Sequence, residues 1–178
     1  MTRRTICGPT RRACLAGAFA AWCVAPAAAQ TPANPGVTGR QILIGQTLTL
    51  DAGKNDYGVA VRQGVEAALR QVNSAGGIYG RQLALQVMDD GAKAPTAEAN
   101  ARKLVADGVF LLFGSIEGGP STAVMKVAVE SGVPFFGPMA GSPTLRRPQQ
   151  PLVFPVRAEH REEFSAILAH AKGLGMRR

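Results

Sequence analysis

The chain has 178 residues, 46% of them hydrophobic, with 21 glycines, 12 prolines and a formal net charge of +8. Half of that charge comes from Arg3, Arg4, Arg11 and Arg12, and the remaining basic residues are scattered apart from the pairs Arg102–Lys103, Arg146–Arg147 and Arg177–Arg178, a pattern that argues against a nucleic-acid-binding face. Cys7, Cys14 and Cys23 all precede residue 30, so the rest of the chain excludes a disulfide framework, a cysteine-based metal site and a thiol nucleophile.

Residues 1–12 are basic, 13–25 form an apolar run, and Pro26-Ala27-Ala28-Ala29 offers small residues to a signal peptidase. An apolar run of 13 residues is too short to cross a bilayer, which takes about 20. A secretory signal peptide over 1–29, cut after Ala29, is expected, and with it a periplasmic address. Arg11–Arg12 before Ala-Cys-Leu also fits a twin-arginine start. Trp22 stands before Cys23 where a lipoprotein needs a small residue, so a soluble product is expected.

A Pro- and Gly-rich linker over 30–40 leads into alternating short apolar runs and helical periodicity. Residues 41–46 read as a buried strand. Residues 56–74 read as a helix whose apolar face is Val61, Val65, Leu69 and Val72, ended by Ala75-Gly76-Gly77. Residues 83–88 are a second strand, closed by Asp89-Asp90-Gly91, and 95–107 a second helix with Ala97, Ala101, Leu104 and Val105 inward. Residues 109–113 are apolar throughout, which predicts a strand covered on both faces. A third helix over 119–131 turns Val124, Val127 and Ala128 inward, and 133–136 form a short fourth strand. An extended segment over 152–156 and a last helix over 160–173 complete the chain. This alternation predicts an α/β fold, a doubly wound parallel sheet.

In such a sheet ligands bind beyond the carboxyl ends of the strands. Three loops qualify: 47–57, 114–120 and 137–142. The second brings glycine backbone to a helix start, where free N–H groups and the helix dipole favour an anion, although a plain tight turn would read the same. Motifs of catalysis fail in turn. No G-x-G-x-x-G follows the first strand, Gly53-Lys54 lacks the upstream glycine of a phosphate loop, and there is no G-x-S-x-G elbow. His160 and His170 sit ten apart on one helix with no acidic partner at metal spacing, and are expected at the surface. Asp89 and Asp90 are expected to form a solvated strand end, and Glu117, the one acid in the best loop, faces either ligand or water. No catalytic residue, metal or cofactor is expected.

Several stretches together carry a resemblance: Ile42-Leu-Ile-Gly45, Asn73-Ser-Ala-Gly-Gly-Ile-Tyr-Gly80, Val87-Met-Asp-Asp90, Ala99-Asn-Ala-Arg-Lys-Leu-Val105, Phe113-Gly114, and Gly132-Val-Pro134 through Pro138, Ser142 and Pro143. Over residues 41–178 the chain resembles the type I periplasmic solute-binding proteins of the leucine/isoleucine/valine type, which serve ABC importers. The resemblance implies two α/β lobes that clamp a ligand between them, and no enzymatic activity. It places residues 41–156 in the first lobe and 157–178 at the start of a second, with the chain cut off before that lobe is built. It implies that Ser115, Gly118 and Gly119 face a ligand carboxylate, that Met139, Ala140 and Gly141 face its polar head, and that Tyr57 covers it. Amino-acid binders usually carry hydroxyl residues where this chain has Gly118 and Gly141. The implied ligand is an amino acid or related small carboxylate and the implied partner an inner-membrane permease. A ligand-sensing module for a signalling partner is the alternative. Return strands absent from the chain would leave an apolar sheet edge open, which predicts poor solubility or oligomerisation.

Overall fold

A computed structural model describes residues 34–50 and 56–176. The leader expected over 1–29 lies outside the described residues, as do 51–55 and 177–178. In chain order the elements are β1 (Gln41–Leu48), α1 (Asp56–Ser74), β2 (Gln82–Asp89), α2 (Ala94–Ala106), β3 (Leu111–Phe113), α3 (Gly118–Ser131), β4 (Phe135–Phe136), β5 (Val153–Phe154) and α4 (His160–Gly173). The strands form one parallel sheet in the order β2-β1-β3-β4-β5. This is the doubly wound arrangement the alternation predicts. The chain reverses its travel across the sheet between β1 and β3, the switch point at whose carboxyl edge folds of this kind open a ligand crevice.

The core lies on one face. Ala97, Ala101 and Leu104 of α2 and Val124, Val127 and Ala128 of α3 are buried against Leu112, Phe135 and Val153 of the sheet. These are the inward residues the helical spacing predicts, and each large apolar side chain buried here contributes about 1.5–3 kcal/mol. Small residues set the approach: a Cβ on Gly45 would lie 2.9 Å from Val109 Cγ1 and 3.2 Å from Leu104 Cβ.

The motif at the end of α1 has a physical cause. Asn73 Nδ2 donates to Leu83 O at 2.9 Å while its Oδ1 accepts from Leu83 N at 2.7 Å, fastening helix to strand. Gly77, at φ 74°, passes so close to Arg81 that a Cβ would overlap the Arg81 carbonyl. Only glycine meets both demands there.

The opposite face departs from expectation. Pleating puts Phe113, Phe136 and Phe154 opposite Leu112, Phe135 and Val153. These phenylalanines stack across β3, β4 and β5 with ring centroids 6.2 and 6.3 Å apart, and Phe136 and Phe154 are each 47% exposed. The strand predicted to be covered on both faces is buried on one, through Leu112, and half-buried on the other, through Leu111 and Phe113. The reason is placement: α1 packs along β2, at the other side of the sheet. Its apolar stripe of Val61, Val65, Leu69 and Val72 is half-buried. An open apolar sheet face thus lies beside the β5 edge, which pairs with β4 alone among the described residues.

Helix α4 starts with a capping box between Glu159 and Glu162, yet no residue along it is buried, and Phe164, Ile167 and Leu168 stand in solvent. No helix among the described residues is long and apolar enough to cross a membrane.

Candidate ligand site at the carboxyl edge of the sheet

The ends of β1 and β2 are held together by a buried polar cluster. Asp90 is 1% exposed and accepts from Thr49 Oγ1 at 2.7 Å, Thr47 Oγ1 at 3.2 Å and Ala92 N at 3.0 Å. Asn100 of α2 donates to Thr47 Oγ1 at 3.4 Å and to Asp89 O at 2.8 Å. The expected solvated strand end therefore holds only for Asp89, which is exposed and accepts from Leu50 N and Gly91 N, each at 2.9 Å. Asp90 is a structural residue under the crevice, because a buried carboxylate must have its lone pairs met by donors.

The loop after β3 turns sharply into α3. Gly114 sits at φ 73°, and a Cβ there would come within 2.5 Å of Gln46 Nε2. Ser115 follows at φ 78° with no exposed surface. Its hydroxyl accepts from Ser121 Oγ at 3.0 Å and its carbonyl accepts from Met139 N at 3.0 Å, so Ser115 ties its loop to the β4 loop and to α3, and its hydroxyl is turned inward. Glu117 is the N-cap, exposed, with no side-chain bond to the helix start. The N–H groups of Gly118 and Gly119 in the first turn are thus left without a side-chain cap, at the end of α3 that favours negative charge. Gly118 is half-buried and Gly119 exposed.

The β4 loop closes the other side. Met139 is half-buried and its Sδ lies 3.9 Å from the hydroxyl of Tyr57, which is 55% exposed at the start of α1. Ala140 and Gly141 are buried, and Ala140 joins the core cluster. A run of hydroxyls links this loop to α3. Thr122 Oγ1 bonds Gly118 O at 2.8 Å and approaches Thr144 Oγ1 at 2.9 Å, and Thr144 meets Ser142 Oγ at 2.8 Å.

Among the described residues Tyr57 meets Met139, Met139 N–H meets Ser115 O and Gly118 lies toward Ser142, so the three loops adjoin at the carboxyl edge, with the Ser115 and Ala140 side chains buried. The sequence reading missed the residues that hold the loops. Arg146 Nη1 donates to Ala140 O at 3.2 Å and Ser142 O at 2.9 Å, and its Nη2 donates to Arg157 O. The three-donor use of one guanidinium leaves no pattern in local sequence. Beyond it, Arg157 pairs with Glu163, with Nε to Oε1 at 2.6 Å. Hydrogen bonding from Arg157 holds the Glu163 carboxyl below the usual carboxylate range, helped by the charges of His160 and Arg146. The same bond raises the Arg157 guanidinium. No group of three or more His, Cys, Asp and Glu side chains among the described residues could hold a metal ion.

Comparison with known proteins follows this geometry. The family model described as "periplasmic binding protein" matches residues 41–178. A Leu/Ile/Val-binding protein homolog 1 of Brucella abortus (strain 2308) is 31% identical over 102 residues, which are 57% of this chain and 28% of that protein. Among solved structures, one from Rhodopirellula baltica SH 1, described as "a possible leucine/isoleucine/valine-binding protein", superposes with a TM-score of 0.72 at 23% identity, covering 80% of this chain and 38% of that one. An extracellular ligand-binding receptor from Verminephrobacter eiseniae gives a TM-score of 0.66 at 28% identity, with 76% and 39% covered. This chain thus spans well under half the length of the relatives it matches. The match to the family model over residues 41–178, which hold every strand of the sheet, shows that the chain belongs to the periplasmic binding protein family.

Proposed function

We propose that residues 41–156 are the first ligand-binding lobe of an extracytoplasmic solute-binding protein that serves an ABC importer. The ligand is an amino acid or a related small carboxylate. The observation that carries this reading is the uncapped start of α3, Gly118–Gly119, at the topological switch point between β1 and β3. Helix N–H groups and dipole there suit a carboxylate, and the loop of Met139, Ala140 and Gly141 lies beside it with Tyr57 above. Residues 157–178 lead away as the opening helix of a second lobe. The lack of any buried residue on α4 supports this. The leader sends the chain to the periplasm, where a permease of the inner membrane receives the ligand.

Thermal melting of the purified chain against L-leucine, L-isoleucine, L-valine, L-glutamate and matched simple carboxylates tests the reading. Ligand at about ten times its Kd should stabilise by about 1.4 kcal/mol and raise the Tm by a few degrees. A cooperative melt that no member of the panel shifts at millimolar concentration counts against it.

A further inference from the structure

We propose that His160 supplies, from α4, the side chain that Gly141 lacks in the β4 loop, so that its imidazole forms a specificity-determining wall of the ligand site. The inference rests on the ligand reading above and adds a contact to it.

Gly141 is buried, and its φ lies outside the left-handed region. Backbone conformation therefore does not demand glycine here. A Cβ would overlap His160 Cδ2 and lie 2.5 Å from Nε2 and 2.9 Å from Cγ, so a side chain here would displace the imidazole. The ring edge thus occupies the volume in which any side chain of residue 141 would sit.

The His160 backbone is held by one bond of its own and by the two contacts of Glu159 before it. Its N–H donates to Gly141 O at 3.0 Å, tying helix to loop directly. It follows the capping box of Glu159 and Glu162. Glu159, 6% exposed, is paired with Arg147. The ring is held by packing on Gly141, yet His160 remains exposed and neither ring nitrogen bonds another described residue. An imidazole seated on the loop, with no hydrogen-bond partner among the described residues, can offer its nitrogens to a ligand. Among the charged neighbours, Glu163 lies near enough for the His160 charge to help lower its carboxyl, and none hydrogen-bonds the ring. Arg146 spends its donors on backbone carbonyls, and Arg157 and Glu163 pair with each other.

The loop that His160 covers faces the α3 start: a Cβ on Gly118 would lie 3.9 Å from Ser142 Cβ, one residue beyond Gly141. A small solute with its carboxylate on the Gly118–Gly119 N–H groups would bring its second polar group to this wall. The imidazole can donate from one nitrogen and accept at the other, which suits the amino or hydroxyl group of such a carboxylate.

The test uses the full chain and His160→Ala, His160→Phe, His160→Gln and Gly141→Ala variants, with Gly141→Ala also made in the His160→Ala background. Packing is read by melting: Gly141→Ala should lower the Tm of the native chain and have little effect when His160 is already alanine. Binding is read by titration with L-leucine, L-glutamate and carboxylates lacking the amino group. His160→Ala and His160→Phe should each weaken the best ligand about tenfold, the size of one hydrogen bond lost. His160→Gln should restore part of the affinity, a rescue that packing alone would not produce. A ligand that binds the native chain and all three His160 variants alike overturns the proposal and leaves the ligand reading standing. If no panel member binds the native chain, both fail.

Discussion

Thr49 Oγ1 donates to the carboxylate of Asp90 at 2.7 Å, joining the end of β1 to the turn after β2 directly beneath the crevice. Asp90 is 1% exposed and accepts a second hydroxyl and a backbone N–H as well. Removing the carboxylate strands two buried hydroxyl donors, of Thr47 and Thr49, and releases the Ala92 N–H. Asp90→Ala should therefore cost about 2–4 kcal/mol in urea unfolding, and Asp90→Asn, which keeps one carbonyl acceptor, clearly less. Equal losses would mean that the charge, and not the hydrogen-bond count, matters.

Arg146 holds the β4 loop through Ala140 O and Ser142 O and reaches Arg157 O beyond it. Arg146→Ala should cost about 1–2 kcal/mol and make the segment between Pro138 and Arg147 more open to limited proteolysis. Arg146→Lys should not rescue it, because one ammonium cannot reproduce the planar fork. Full rescue by lysine would reduce the contact to a matter of charge.

Phe136 and Phe154, continued by the half-buried Phe113, leave an aromatic strip open on the sheet face away from α2 and α3. Contiguous apolar surface of this kind drives association. The chain should sediment as oligomers at high concentration, and Phe136→Ser with Phe154→Thr should shift it toward monomer without changing the far-UV spectrum. Unchanged sedimentation would place the association elsewhere.

Glu98, Asp107 and Glu163 all have their carboxyls held below the ordinary range, chiefly by hydrogen bonds from Arg102, Lys103 and Arg157 respectively. For a lowered carboxyl the stabilisation is present above the unfolded-state value and is lost as pH falls through the folded one. The Tm should thus fall between about pH 5 and pH 3. These groups are exposed, so molar salt should flatten the slope. A Tm independent of pH in that window would show that the pairs contribute nothing.

Much of the fold can be read along the chain because the helices and strands answer to local periodicity. Ala97, Ala101 and Leu104 and the stripe of Val124, Val127 and Ala128 are buried as their spacing predicts, since one side of a helix is a property of residues three and four apart. The Asn73…Gly77 motif is likewise local in its cause, because the double bond to Leu83 and the left-handed turn fall within eleven residues.

Pairings across the sheet were illegible. Asp90 looks like a solvated turn residue until Thr47 and Thr49, more than 40 positions away, are brought to it. Arg146 looks like one of a basic pair until three carbonyls converge on it. Local sequence alone determined the order of the elements, the parallel class of the sheet and the loops that line the crevice, because those follow from short-range patterns and a chirality rule common to all such folds. Tertiary structure alone decided that Ser115 turns its hydroxyl inward, that the aromatic face of β3–β5 stays open, and that His160 fills the space above Gly141. Each of those depends on which surfaces meet, and contact between distant segments leaves no periodic trace in the chain.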